Sequence, residues 1–305
     1  MTGPGHEKRR LCRTTLRHRP RTALVLPLIK DLSALDRPEG FAQIYRVWQH
    51  AFEHYNNGAY DPSGIRRRVL ALLKDHLQIS VAQIIVRLNA ERCPEDPGLN
   101  PGVFLLLKAG YFHLFLVQLR NLTSGRHLYG NLGEYSLPAL LKDIRRDRAD
   151  FTRAFVARYD GLSRGNKDWL LQHAETGPGV SQLLSEARLA RMRQGLKVFE
   201  PVNEKINKYL THVATPESRG DVRQVELAPG EADACLKELV RLTQELSSFV
   251  FGVNQLQPDE LDLPDLSHLS HWLLQDGDLP RFEAEVTRRL EEMQGWLVRP
   301  EALSG

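Results

Sequence analysis

VSQLLSEARLARMRQGLKVFEPVNEKINKYLTHVA, residues 180–214, is the stretch that decides the fold. Its apolar residues recur at steps of three and four, the spacing of one face of an α-helix. That face consists of Leu189, Met192, Leu196, Phe199, Ile206, Leu210 and Val213, with Asn203 filling one place. Pro201 lacks a backbone N–H, so we expect a kink there. The stretch predicts one long helix, starting near Val180, with its apolar face in a helical core.

The same helical spacing recurs along most of the chain, whereas the alternating runs of Val, Ile and Thr typical of strands are missing. Earlier helices are predicted from Pro38 to about Asn57, from Asp61 with a break or bend near Ile79–Ser80, and over Val103–Leu122. The next is expected to begin at the N-cap Ser136 and to continue to Phe155, and shorter ones follow over 169–174, 230–250 and the C-terminal 25 residues. We therefore predict an all-α fold.

The helices divide the chain into three parts. Residues 38–256 are predicted to form an up-and-down helical bundle, and residues 257–305 a C-terminal helical appendage. Residues 1–30 contain a basic run, with seven Lys or Arg and no acid between Lys8 and Arg21. Such a run is compatible with a nucleic-acid arm or a targeting segment, but a solvated flexible tail is the preferred interpretation.

The composition excludes several classes of protein. Hydrophobic residues make up 42% and charged residues 26%, an ordinary globular mixture. Cys12, Cys93 and Cys235 form no close pair, which argues against a disulfide scaffold and fits a reducing, cytoplasmic location. The most apolar segment, Val103–Leu119, contains charged and polar side chains, so it predicts a core helix and no membrane contact.

No metal or cofactor site is expected. The chain has no glycine-rich phosphate loop and no H-E-x-x-H motif. His268 and His271 are the only histidines three positions apart, with Asp262 and Asp265 nearby, but a polar exposed stretch explains them more simply than a metal does.

Aromatic residues in the first helices allow a weaker alternative. Tyr45, Trp48 and Tyr55 could line a ligand pocket, but aromatics at helical spacing more often belong to the core.

An arginine and a histidine separated by four to six intervening residues form the motif of HEPN-superfamily ribonucleases. Arg120 with His127, and Arg13 with His18, match it. Arginine occupies 31 of the 305 positions, so about three such matches are expected by chance among the eleven histidines. The motif alone therefore carries no weight.

A broader resemblance covers residues 38–252. FHLFLVQLRNLTSG (112–125), SLPALLKDI (136–144) and INKYLTH (206–212) follow one another at the distances seen in the AbiU-type HEPN family of abortive-infection proteins. That family has an R-L-T-D-like helix end, an S-L-x-x-L-L-x-D/E helix and a later R-[ND]-K-x-x-x-H element. Here Asn121 is inserted, Ser124 replaces the acid, and Ile206 stands at the place of the last motif's arginine.

The resemblance implies a candidate site on the last of these helices. His212, Lys208 and Asn207 occupy motif positions, and Lys205 lies within about 20° of His212 around the helix. Arg120, on a neighbouring helix, is the arginine that could replace the one missing at residue 206.

This site would cleave RNA without a metal. His212 would take a proton from a ribose 2′-OH, and the cationic side chains would stabilise the phosphorane. The resemblance also implies a homodimer, a defence or toxin role and an antitoxin or other protein partner.

The residues leave two other interpretations open. In the first, His212 is a cation that favours the C-terminal end of its helix. In the second, the chain is a catalytically inactive module that binds protein or nucleic acid.

Overall fold

The computed structural model describes residues 39–53, 55–56, 59–60, 64–92, 101–124, 135–174, 180–207, 229–252, 255–262, 274 and 277–298. They form an all-α helical bundle, which confirms the predicted fold class, and the predicted tail, 1–30, lies outside them. The helices are α1 (Glu39–Glu53), α2 (Ile65–Arg92), α3 (Pro101–Thr123), α4 (Leu137–Asp147), α5 (Arg153–Arg158), α6 (Arg164–Gln172), α7 (Glu186–Gly195), α8 (Glu200–Ile206), α9 (Pro229–Leu246) and α10 (Leu279–Leu297). Two short strands, Tyr55–Asn56 (β1) and Ala59–Tyr60 (β2), pair antiparallel.

Helix α2 packs against α1, α3, α9 and α10 and so lies at the centre of the bundle. The predicted break near Ile79–Ser80 is wrong, because α2 continues from Ile65 to Arg92. Ser80 is tolerated because its hydroxyl donates a hydrogen bond of 2.8 Å to the carbonyl of His76, one turn earlier. Among the described helices, α2 alone is long and apolar enough to cross a membrane by length and composition; half of its most apolar window is buried in the bundle.

Helix α1 contributes an aromatic part of the core. Tyr45 and Trp48 are buried, as the core interpretation of these aromatics predicts. The Tyr45 ring stacks on Phe151 with centroids 5.6 Å apart, and its hydroxyl donates to the Val250 carbonyl at 2.7 Å. Because Phe151 follows α4 and Val250 follows α9, one side chain connects three parts of the chain.

The helix predicted from Ser136 to Phe155 is wrong in its second half. Helix α4 ends at Asp147 and is followed by a 3₁₀ turn, Arg148–Asp150. A new helix then begins because the hydroxyl of Thr152 accepts a hydrogen bond from the N–H of Phe155 at 3.1 Å.

The long helix predicted from residue 180 is three shorter elements. Its start lies at Glu186, since the hydroxyl of Ser185 accepts the N–H of Arg188, and the residues before it pair with the segment around Thr152. Before Pro201 the chain forms a 3₁₀ turn, Leu196–Phe199, and α8 follows directly. The proline has no N–H for the carbonyl four residues earlier, so the predicted kink is a change of helix type.

The C-terminal helices complete the same core. A π-helical turn, Ser247–Phe251, continues α9 and ends at Gly252, whose φ of 60° lies in the left-handed region. Helix α10, from the segment predicted as an appendage, packs on α2 and α9. Its buried residues include four members of its predicted apolar face: Phe282, Val286, Met293 and Leu297. All the described residues belong to one compact unit.

Candidate functional site

The structure describes three of the five predicted site residues. Arg120 is in the last turn of α3, Lys205 in the last turn of α8, and Asn207 directly follows α8. Lys208 and His212 lie outside the described residues, so their placement stays a prediction.

The C-terminal turn of α3 packs against α8, which brings the two predicted halves of the site to one helix pair. Between the helices, the amide of Asn203 donates to the hydroxyl of Thr123 at 3.0 Å. The Thr123 hydroxyl donates in turn to the carbonyl of Leu119 at 2.7 Å. Arg120 is three residues before Thr123, and Asn207 is four residues after Asn203. Arg120 and Asn207 therefore each lie one helical turn from the Asn203–Thr123 contact.

Arg120 is a cation with no carboxylate partner among the described residues. It is partly buried, and its Nε is shielded from solvent without a hydrogen-bond acceptor. A buried donor left unpaired costs about 1–3 kcal/mol. An anion with oxygens at this position would remove that cost, and a phosphate has the required geometry.

Lys205 is engaged in an ion pair. Its Nζ lies 3.1 Å from Glu231 Oε1 in the first turn of α9, and the two side chains are 34% and 44% exposed. Exposed pairs of this kind contribute only about 0–1 kcal/mol. Lys205 is therefore available to exchange its carboxylate partner for a phosphate.

Ile206 is fully buried, as its place on the apolar face predicts. The motif position that carries arginine in the resembled family therefore lies in the core of this protein. A guanidinium there would have to be buried without compensation, which is costly. Of the described predicted residues, Arg120 alone can supply one.

The S-L-x-x-L-L-x-D element serves the fold. Leu137, Leu140 and Leu141 are fully buried. Ser136 is the N-cap residue, as predicted, but its hydroxyl makes no capping hydrogen bond and is buried without a partner in the described structure. Asp143 pairs with an arginine of its own helix. The element therefore contributes packing, and none of these contacts reaches α8.

A polar cluster at the centre of the bundle was missed by sequence reasoning. His76 of α2 contacts Tyr111 Oη of α3 through Nδ1 and Asp233 Oδ1 of α9 through Nε2, each at 2.7 Å. Arg289 of α10 donates to both oxygens of Asp233, at 2.7 and 3.2 Å. The available signal was that His76 shares the helix face of Leu72 and Leu73, where a histidine needs polar partners.

The charges of this cluster are balanced internally. Burial alone raises the pKa of Asp233, but hydrogen bonds from His76 and Arg289 outweigh it and hold that pKa well below its usual range. Burial, with the nearby carboxylates Asp75 and Asp233, raises the pKa of Tyr111 well above its usual range. The His76 tautomer that donates Nε2–H to Asp233 and accepts the Tyr111 hydroxyl at Nδ1 satisfies these two contacts, while Arg289 Nη2, 3.0 Å from Nε2, donates to Asp233.

Both ring nitrogens of His76 are thus occupied by protein groups, and its side chain is only 7% exposed. Tyr111, with its raised pKa, stays protonated at neutral pH and is a poor base. The cluster joins four helices and leaves no group free to act on a substrate.

No group of three or more His, Cys, Asp or Glu side chains able to hold a metal occurs in the described part of the chain. His268, His271 and Asp265, weighed above as ligands, lie outside that part.

No protein-family model, curated protein or solved structure matches this chain. The candidate site therefore stands on its own geometry and on the resemblance of the three sequence elements.

Proposed function

We propose that this protein is a HEPN-like, AbiU-type defence protein that binds RNA at the contact between α3 and α8 and cleaves it without a metal. The observation that carries the proposal is Arg120, whose Nε is buried without a hydrogen-bond partner in the described structure. It lies at the end of α3 that packs on α8, and α8 leads directly into the element containing His212.

The proposed chemistry is an internal transesterification. His212 takes the proton of a ribose 2′-OH, a role that suits histidine because an unperturbed imidazole has a pKa of about 6.5. The 2′ oxygen attacks the adjacent phosphorus, the bond to the 5′ oxygen breaks, and the leaving oxygen takes up a proton. Arg120 and Lys208 stabilise the phosphorane, and losing one such donor typically costs about 3 kcal/mol. Asn207 and Lys205 hold the RNA backbone.

A mixed RNA pool incubated in EDTA tests this proposal. We expect the wild type to degrade it, His212→Ala to stop degradation, and Arg120→Ala to slow it by about 10²-fold or more. Arg164→Ala is the matched control, because Arg164 is almost fully exposed on α6 and should not affect the rate. Intact RNA with pure wild type at any concentration would rule out the nuclease.

A catalytically inactive binding module is the second candidate. Two observations favour it: the motif's arginine position is filled by the buried Ile206, and Lys205 already has a carboxylate partner. Such a module would bind RNA, with affinity reduced by Arg120→Ala, without cleaving it. Fluorescence anisotropy with a labelled RNA separates the two candidates. If RNA is not bound at all, a protein partner of the bundle surface is the remaining interpretation.

The proposal includes a cytoplasmic homodimer with an antitoxin or other protein partner. Light scattering coupled to size exclusion checks the first part: a mass of one chain, 34.8 kDa, at micromolar concentration would contradict the dimer.

A further inference from the structure

Asn203 interrupts an otherwise apolar helix face, and the structure gives the reason. Its neighbours Val202 and Ile206 are buried in the core, while its own amide contacts Thr123 on α3. Thr123 is itself only 6% exposed, so the pair lies between the helices rather than on the surface. Asn203 is thus a polar residue at an apolar position of the pattern, and its polar partner, Thr123, is on a neighbouring helix.

A polar pair in an apolar interface fixes the register of the two helices, that is, their position along and around each other's axes. Apolar contacts are not directional, so α8 could rotate or slide against α3 at little cost if they were all that joined the two. A hydrogen-bonded pair changes this, since a shift of α8 breaks the bond from the half-buried Asn203 amide to Thr123, at about 1 kcal/mol, although the Thr123 hydroxyl keeps its bond to the Leu119 carbonyl. Single buried polar residues fix the register of coiled coils in this way.

A change of helix type precedes α8: the 3₁₀ turn Leu196–Phe199 interrupts the regular α-helix. Contacts with neighbouring helices, such as the Asn203–Thr123 pair, therefore contribute to the position of α8.

We infer that Thr123 and Asn203 are positioning residues, which hold α8 in the one register that places Arg120 beside the RNA-binding face of α8. The catalytic consequence of this inference rests on the proposed function. The register of α8 against α3 does not depend on that function. Thr123 acts through Arg120, three residues earlier, and Asn203 acts through Asn207 and the chain that follows.

Thr123→Val and Thr123→Ser form the decisive pair of variants. Valine keeps the shape and removes the hydroxyl, whereas serine keeps the hydroxyl. Thr243→Val is the matched control: its buried hydroxyl makes the same bond of 2.7 Å to the carbonyl four residues earlier, in α9, with no inter-helix partner among the hydrogen bonds described. It therefore reproduces the loss of the intrahelical bond alone.

In RNA cleavage we expect Thr123→Val to lower kcat about 10- to 100-fold with KM nearly unchanged, because a displacement of about 1 Å is sufficient for such a loss. Thr123→Ser and Thr243→Val should keep the wild-type kcat. The exchange variant T123N/N203T should recover most of the activity. Equal kcat for Thr123→Val and Thr123→Ser would overturn the inference, and so would failure of the exchange variant to exceed Thr123→Val.

A distance measurement tests the register without RNA. Spin labels at His113→Cys in α3 and Glu200→Cys in α8, both exposed positions, are introduced with the native cysteines replaced. We expect one narrow distance distribution in the wild type and Thr123→Ser, and a broadened or shifted one in Thr123→Val. If the wild type cleaves no RNA, the proposed nuclease fails, and this distribution alone decides the register: no change in Thr123→Val overturns it. Should Thr123→Val not fold, Asn203→Ala, which removes the other partner of the pair, takes its place in both measurements.

Discussion

Replacing Asp233 by asparagine should weaken the polar contact that joins α10 to α2 and α9. The carboxylate accepts two hydrogen bonds from Arg289 and one from His76. An asparagine keeps one oxygen and turns the other into an NH₂ group, so at least one donor faces another donor. Arg289 would retain Glu292 as its acid partner.

The size of the effect follows from burial. Removing one partner of a fully buried ion pair costs about 3–5 kcal/mol. The Asp233 and Arg289 side chains are 20% and 17% exposed, so solvent screens part of the interaction. We expect a loss of about 2–3 kcal/mol in the free energy of unfolding, out of a total of about 5–15 kcal/mol for a protein of ordinary stability.

Urea unfolding followed by circular dichroism at pH 7.5 measures this loss. Asp262→Asn is the control, because Asp262 forms a salt bridge of similar length with Lys74 on an exposed surface, and no measurable change is expected there. A loss below about 0.5 kcal/mol for Asp233→Asn would refute the view that this cluster is a structural junction.

The same carboxylate gives a pH dependence of defined sign. Burial opposes the charge of Asp233, but the bonds from His76 and Arg289 prevail, so its folded pKa lies below its unfolded value of about 3.9. A group with a depressed folded pKa contributes stability above its unfolded pKa and loses it as the pH falls through the folded pKa. The stability difference between wild type and Asp233→Asn should therefore shrink below about pH 4. A difference that grows on acidification would contradict this assignment.

Four further substitutions test individual contacts by thermal or urea unfolding. Gly252→Ala should destabilise the protein by about 2 kcal/mol or more, because the left-handed backbone there disfavours a Cβ and the added carbon would meet neighbouring atoms. Tyr45→Phe should cost about 1 kcal/mol, since the bond to the Val250 carbonyl is lost while the ring stays packed. Ser163→Ala should also cost about 1 kcal/mol, because that hydroxyl caps α6, whereas Ser136→Ala should be neutral, because its hydroxyl caps nothing. Equal losses for the two serines would show that capping does not explain the difference.

The helices could be predicted from sequence because burial imposes a local period. The apolar faces of α1, α9 and α10 were found in this way, and the structure buries them. The errors concern helix ends. Leu183 and Leu184 are buried and extend the apolar pattern towards residue 180, yet the hydroxyl of Ser185 decides where α7 begins. A pattern of apolar residues does not contain that hydrogen bond.

The polar contacts could not be predicted, because their partners are distant in sequence. His76 contacts residues 35, 157 and 213 positions away, and no spacing rule connects them. Asn203 was visible as an exception on an apolar face, but its partner Thr123 is 80 positions earlier. An exception in the pattern identifies the residue that needs a partner, and the fold identifies the partner.

The two polar regions of the bundle differ in what they leave unsatisfied, and this difference separates structure from function. In the His76 cluster both ring nitrogens and both carboxylate oxygens have protein partners, so a ligand would have to break existing bonds to enter. Arg120 has a donor, Nε, without an acceptor among the described residues, but because Nε is shielded from solvent the side chain must move before a ligand oxygen can reach it. A binding site needs such unsatisfied hydrogen-bonding groups, and they lower the stability of the free protein.

By this reasoning, Arg120→Met, which removes the unpaired donor and keeps the apolar stem, should stabilise the free protein by up to about 1 kcal/mol while it weakens RNA binding. If Arg120→Met instead destabilised the free protein, Arg120 would be a structural residue, and the proposal of an RNA-binding site at the α3–α8 contact would be refuted.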